Sequence, residues 1–577
     1  MVRERSARTE LAPWLAAGTM LTGGLLTGIV WLGGTLGAVV GGAGWHPPPF
    51  TVRLLLQLAA GPQTIWPQAS PIAVWGGIVA TASLGTATGV PLALILYRWL
   101  APAPGLAGLR DLREFTYRGA VTKARRLRPS LRTVKRVPSD EAGVLIGDVD
   151  GVELRGSFED VYLVFMGPRS GKTTTIIAQT AIRAPGAAVV TSIRPDALTT
   201  TAAPRQARGT LWVFDPQQIC HQAQTFWWDV IKTARTVEGA RRLASHFVTT
   251  SFSANERGNY WALAAGNLLA NLFHAAATSG ANVHQVLEWL AHPAEQDPID
   301  ALRAAGAVGM AGQLEHTVSL PPETRGGVYD TAAQTIACLL DPEINRWITP
   351  TPGQPVFDPA TFVTSTDTLY LFSKKGRNGA APLVAALADA VLQAGIAAAE
   401  RVGGRADPPL IMVLDEAANV APIEDLPDLY SFLGGTGIPV VTILQSYQQG
   451  VRVWGGPGMD ALWSASTVKI IGAGIDDADH AEKVSRLVGH HKVIDSSVSY
   501  SSSGRSVSVS ARKERIYTAA DIRALKKFTA ILLLTGIRPV PIRMRPWMRE
   551  PFGPRLRLAA ARIEKQITDR AIRKQVP

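Results

Sequence analysis

From residue 11 to residue 97 the chain is apolar, and Arg53 is its only charged position. A bilayer core takes about 20 predominantly apolar residues per helix, so the stretch holds two spans, at about residues 15–40 and 72–96. Trp45-His46-Pro47-Pro48-Pro49 breaks the helix between them, and Gly61-Pro62 and Pro67 predict an irregular segment after it. Trp14, Trp45, Trp66, Trp75 and Trp99 fall near the span ends, where amphipathic rings favour the headgroup level. Arg3, Arg5 and Arg8 precede the first span, and a run of cations from Arg98 to Arg136 follows the second, against only Asp111 and Glu114. This asymmetry predicts both termini in the cytoplasm and a short loop around Arg53 outside. A cleavable signal peptide is the rival reading. The second span and its basic exit fit a retained hairpin better. The basic run itself reads as a contact for anionic lipid.

Beyond it the pattern changes to alternating strand and helix. Residues 144–157 read as a hairpin turning at Asp150-Gly151. Short runs rich in Val, Ile and Leu follow at 161–166, 187–191, 210–214, 368–372, 410–414, 438–444, 468–471 and 528–534. Runs of this kind suit strands covered on both faces, hence an α/β unit with a mostly parallel sheet. Between 216 and 359 no strand is predicted. The clearest helix there puts Trp261, Ala265, Leu268, Leu269, Leu272 and Ala276 on one face and stops near Gly280. The Ser-rich stretch 496–510 reads as a mobile loop. The expected organisation is a two-span hairpin over 1–100, a basic linker over 101–140, and a nucleotide-binding domain over 141–215 and 360–545. An inserted all-α domain occupies 216–359, and a basic tail 546–577.

Composition narrows the classes. With 46% hydrophobic and 18% charged residues the chain is not intrinsically disordered. Its two cysteines, Cys220 and Cys338, exclude a disulfide framework, a zinc knuckle and an iron–sulfur site. His480, His490 and His491 lack zinc-ligand spacing, and Asp476, Asp477 and Asp479 read as the cap of the helix that follows them.

The chemistry lies at strand ends. Gly167-Pro168-Arg169-Ser170-Gly171-Lys172-Thr173-Thr174 follows an apolar strand and opens a helical pattern, the setting of a phosphate-binding (Walker A) loop. Lys172 would neutralise β/γ oxygens and Thr173 would offer its hydroxyl to magnesium. The motif's first glycine falls at Met166. Residues 410–414 run into Asp415-Glu416, an acid after a buried strand, which is the Walker B arrangement. Asp415 would hold Mg2+ through water, and Glu416 would polarise the attacking water. The next strand ends at Gln445, suited to sensing the γ-phosphate or orienting water, or to ordinary loop polarity.

These segments resemble the type IV coupling proteins of bacterial conjugation and secretion. The resemblance rests on GPRSGKTT at Gly167, VVTSIRPD at Val189, VFDP at Val213, LDEAANVAPIEDLPDL at Leu414, GIPVVTILQSYQQ at Gly437 and YTAADIRALKK at Tyr517. It covers roughly residues 140–545, and the Ala/Gly/Arg-rich style is similar to the actinobacterial branch. It implies a RecA-like P-loop ATPase core with an inserted all-α domain and an N-terminal two-helix transmembrane hairpin. It further implies ATP and Mg2+ as ligands, an inner-membrane location and a homo-hexamer when active. The implied cargo is single-stranded DNA with a relaxase, or protein, delivered to the components of a type IV secretion channel. A septal-type chromosomal DNA translocase and a nucleotide-binding but non-hydrolysing docking receptor are the alternatives. Relatives often carry an arginine in the turn that here reads Gly434-Gly435-Thr436. A cation acting on a neighbour's phosphate would then come from Arg325 or from Lys374, Lys375 or Arg377.

Overall fold

A computed structural model describes residues 4–100, 105–374, 376, 379–501 and 504–575, with side chains except at 4–21, 92–100, 494–511 and 574–575. The chain divides into two compact units at residue 102.

The first unit is a pair of long helices, Glu4–Val40 and Pro71–Leu100. Within them Thr22–Val40 and Pro71–Pro91 are long and apolar enough to cross a membrane. Small residues let the two backbones touch. A Cβ on Gly77 would lie 2.3 Å from the Gly33 carbonyl oxygen, and one on Gly37 would lie 2.3 Å from that of Ala73. Gly33/Gly37 and Ala73/Gly77 thus form two facing small-xxx-small steps, the spacing that packs helices in lipid. The connection is more regular than its prolines suggest. Arg53–Ala59 is helical and buries Leu54, because Leu-Leu-Leu-Gln-Leu supplies good helix formers between the breaks.

In the second unit the strands are β1 Val144–Val149, β2 Val152–Gly156, β3 Tyr162–Phe165, β4 Ala188–Ser192, β5 Leu211–Phe214, β6 Thr368–Phe372, β7 Ile411–Leu414, β8 Val440–Leu444, β9 Val468–Gly472, β10 His490–Ser501, β11 Gly504–Arg515, β12 Thr529–Leu534 and β13 Val540–Arg543. Asp150 and Gly151 both have positive φ, 51° and 80°, as a two-residue hairpin turn between β1 and β2 requires. Eleven strands form one sheet in the order β2-β1-β13-β12-β9-β3-β8-β7-β4-β6-β5. From β9 to β5 every pairing is parallel, and the other four strands extend the sheet antiparallel. β3, β4, β6, β7 and β8 are buried along their whole length, which is why they read as unbroken apolar runs. The helix Ala381–Arg401 is also long and apolar enough to span a membrane, but it packs into this core, with Leu383, Leu387, Val391 and Leu392 fully buried.

The chain between β5 and β6 forms helices, from Val237–Ser251 to Pro359–Phe362. Among the described residues it has no strand beyond a bridge between Trp227 and Val356. Its entry and exit are tied together there: Trp227 donates to the Pro355 carbonyl and Phe357 to that of Trp227. Trp212, Phe214, Phe226, Trp347 and Phe357 fill this neck with centroids 5.2–5.6 Å apart in edge-on or tilted contacts. Aromatic pairs of this kind add about 0.5–1.5 kcal/mol each beyond their burial.

One expectation is corrected. The Ser-rich stretch is no loop: it belongs to β10 and β11, which pair in continuous antiparallel register from His490↔Arg515 to Ser501↔Gly504. Backbone ladder bonds, indifferent to the serine side chains, outweigh composition. The basic C-terminal stretch continues as a helix, Gly553–Gln575, packed against Asp196–Gln206 with Leu556 and Ile567 buried.

Candidate nucleotide site

β3, β8 and β7 are neighbours, and their C-terminal ends deliver the loop, Gln445 and the Asp415-Glu416 pair to one place. The loop leaves β3 through a close backbone crossing. The Gly167 N–H donates to the Ala473 carbonyl at 3.0 Å, and a Cβ on Gly167 would lie 1.9 Å from the Gly474 oxygen. Met166, standing where the motif has its first glycine, is fully buried and fills the space above Gly472. Pro168 and Arg169 are exposed, Arg169 with φ 59°, while the buried Ser170 hydroxyl closes the loop on the Gly167 carbonyl at 2.7 Å. Gly171 has φ 98°, a conformation glycine adopts freely. The helix then opens as a wide π turn over Thr173–Ile177, with Thr174 and Thr175 hydroxyls both on the Gly171 carbonyl. Such widened turns occur often at functional sites.

Lys172 Nζ lies 3.1 Å from Asp415 Oδ1 and 2.6 Å from Glu416 Oε1. Burial opposes its charge, but the two carboxylates outweigh this and hold its pKa above the ordinary lysine range. Burial pushes the Asp415 carboxyl up to about 6, against the pull of Lys172. Glu416 sits in a left-handed backbone conformation, φ 52°, and receives donors from Lys172, from the Asn419 amide at 3.1 Å and from the Gln445 amide. Thr191, at the end of β4, donates to the Asp415 main-chain oxygen at 2.9 Å and braces that strand end.

The residues suit a magnesium–phosphate ligand. Asp415 Oδ1 is buried, with the Lys172 ammonium 3.1 Å away as its charge partner, and a carboxylate oxygen has lone pairs enough to accept from metal-bound water as well. Thr173 adjoins Lys172 at the helix start, where hydroxyl ligation of the metal is expected. Asn419, inside the quoted Asp-Glu-Ala-Ala-Asn block, is a site residue that motif reading passed over.

The expected trans-acting cations scatter. Arg325 donates to the Val318 carbonyl, and Lys374 lies in the loop after β6, anchored through its N–H on Gln217. Lys375 and Arg377 lie outside the described residues. Gly434-Gly435-Thr436 is not a separate turn but the end of the helix Leu426–Thr436, and it is not without a cation: Arg405 donates to the Gly434 carbonyl at 3.2 Å and to Glu159 at 3.1 Å. Two arginines of the helical insertion reach acids a few residues beyond Glu416, Arg242 to Asp425 at 3.0 Å and Arg257 to Glu424 at 3.4 Å.

Sheet order and loop together define a RecA-like P-loop ATPase fold carrying an all-α insertion and an N-terminal helical hairpin. Residues 409–527 match the family model described as the TraM recognition site of TraD and TraG. The fold is similar to that of the bacterial conjugative coupling protein TrwBdeltaN70 in its unbound monoclinic form, at 18% identity and a TM-score of 0.54, over 73% of this chain and 92% of that one. It is similar also to TrwB in complex with the non-hydrolysable ATP analogue ADPNP, at 17% identity and a TM-score of 0.51, over 73% and 93%. No curated protein sequence matches. The resemblance to the type IV coupling protein family is borne out by the family match and by the fold.

Proposed function

We propose that this chain is a membrane-anchored ATPase that couples ATP hydrolysis to transfer of DNA or nucleoprotein cargo into a type IV secretion channel. The observation that carries the reading is the convergence of Lys172, Asp415, Glu416 and Gln445 at the ends of three adjacent strands. In this reading the main-chain N–H groups from Gly167 to Thr174 and the Lys172 ammonium hold the phosphates. Thr173 and Asp415 hold Mg2+, which polarises the phosphoryl oxygens when bound. Glu416 takes the proton of the attacking water, and Gln445 orients it. The conjugation machinery named for the TraG/TraD and TrwB relatives supports the cargo assignment, the two apolar helices support an anchor, and the cations flanking them support both termini in the cytoplasm. A homo-hexamer would bring a neighbour's cation to each site. In this reading the insertion reports cargo to the segment after Glu416, and the ion pairs of Arg242 with Asp425 and Arg257 with Glu424 support that route.

The test is ATPase activity and nucleotide binding of the full chain in detergent, with and without single-stranded DNA. Glu416→Gln should keep ATP binding and lose turnover, and Lys172→Ala should weaken binding. Equal ATPase rates in the wild type and both variants would refute the motor, and binding without turnover in the wild type would select the docking receptor.

A further inference from the structure

The six described non-glycine residues with positive φ include three that surround the phosphate loop: Arg169 within it, Glu416 across from it, and Phe528. The third has no place in the mechanism above. Phe528, the residue before β12, adopts φ 65°, which is a genuine outlier for a bulky aromatic side chain. Backbone of this kind persists where the surroundings over-determine it, and it clusters at ligand clamps. Here its effect is specific. The turn keeps the half-buried ring against Gly171, where an added Cβ would meet the ring at 2.6 Å. The Phe528 carbonyl is held by the Met544 N–H at 2.8 Å, and Met544 in turn receives the Thr175 hydroxyl. The loop is therefore buttressed from the antiparallel side of the sheet.

Lys527 rides on that buttress. Its ammonium lies 5.0 Å from the centre of the Phe528 ring, and its Cε would be 3.5 Å from a Cβ on Gly171. It is exposed and forms no ion pair among the described residues. Lys172 approaches from the side of Asp415 and Glu416, so the two lysines flank the loop from different directions. A nucleotide diphosphate held by the loop's N–H groups carries more charge than one ammonium neutralises. The aromatic face costs Lys527 little and restrains it within reach of the loop's outer side.

We propose that Lys527, positioned by the strained Phe528, is a second phosphate-binding cation of this site, acting on the part of the nucleotide away from the γ-phosphate. The proposal rests on the phosphate-loop reading. It adds a contact from the segment before β12 that the loop motif does not contain.

Calorimetric titration of the full chain in detergent with MgADP tests it. Because the contact lies away from the γ-phosphate, ADP reads it without turnover. Lys527→Ala should weaken ADP binding by about 10-fold, the scale of one lost charge-assisted hydrogen bond. Lys527→Arg should restore most of the affinity, and the loss in Lys527→Ala should shrink as salt rises. Phe528→Leu, which keeps an apolar contact but frees the lysine, should give a smaller loss. If the wild type binds ADP, Lys172→Ala does not, and Lys527→Ala binds like the wild type, this proposal is overturned alone. A wild-type chain that binds no ADP would overturn the phosphate-loop reading and this proposal with it.

Discussion

Adding one methyl group at Gly167 should disable the site although no catalytic group is touched. The Cβ of Gly167→Ala would stand 1.9 Å from the Gly474 carbonyl oxygen, and contacts under 3.0 Å are essentially never made by real Cβ atoms. The two backbones would have to separate by at least about 1.1 Å, the difference between those values. Neither side yields cheaply. Gly167 is tied to the Ala473 carbonyl, Met166 to the Leu444 carbonyl, and β3 pairs with β9 and β8 on its two edges. The displacement is therefore passed to the loop, which begins at this residue. A misplacement of about 1 Å can cost on the order of 100-fold in rate, and forced overpacking about 1–3 kcal/mol in stability. The assay is kcat/KM for ATP with nucleotide affinity and thermal unfolding of the same preparations. Gly312→Ala, an exposed helical position with open space around it, is the control and should be neutral or slightly stabilising. A Gly167→Ala chain with nucleotide affinity and kcat/KM within two-fold of wild type would refute the crossing as the positioner of the loop.

Two further outcomes follow from the core. Arg205 is fully buried and donates to Thr368 Oγ1 and to the carbonyls of Ala184, Gly186 and Thr366 at 2.6–2.9 Å, so Arg205→Lys should cost about 3–5 kcal/mol in urea denaturation followed by tryptophan fluorescence; a loss under about 1 kcal/mol would show the fork is dispensable. Burial raises the Asp215 carboxyl to about 6, above its ordinary value, so the folded state holds more protons than the unfolded one between about pH 4 and 6. Stability should fall as pH rises through that window, by on the order of 3 kcal/mol, and Asp215→Asn should flatten that slope in a melting series.

What sequence patterning reveals here depends on who supplies the signal. β3, β4, β6, β7 and β8 are buried along their whole length, so each announces itself as an apolar run. β13 does not: Val540-Pro541-Ile542-Arg543 alternates buried and exposed positions and contains a proline, tolerable because β1 pairs with β13 only at Arg543 and leaves Pro541 paired on one side. β10 and β11 were hidden by serine content, although Val507-Ser508-Val509-Ser510 carries the period of two. Lys172, Asp415, Glu416 and Gln445 are legible because each ends or follows such a run. Phe528, Lys527 and Arg405 are not, because only the order of strands and the long returns between them bring those residues to the loop or to Gly434.

The neck between β5 and β6 sets the terms on which the helical insertion can change. Where the chain enters at Trp227 and leaves at Val356, it runs side by side and is hydrogen-bonded like two strands of a ladder. At the neck itself the covalent joint to the sheet domain is thus a single socket one strand-spacing wide, about 4.8 Å. A transplanted helical bundle whose own ends meet at that spacing would leave the sheet register untouched. The graft must be matched to its host where the insertion touches the sheet domain again: at Arg242 and His246 on Asp389, at Ala254 on the Arg452 carbonyl, and at the arginine contacts to Glu424 and Asp425.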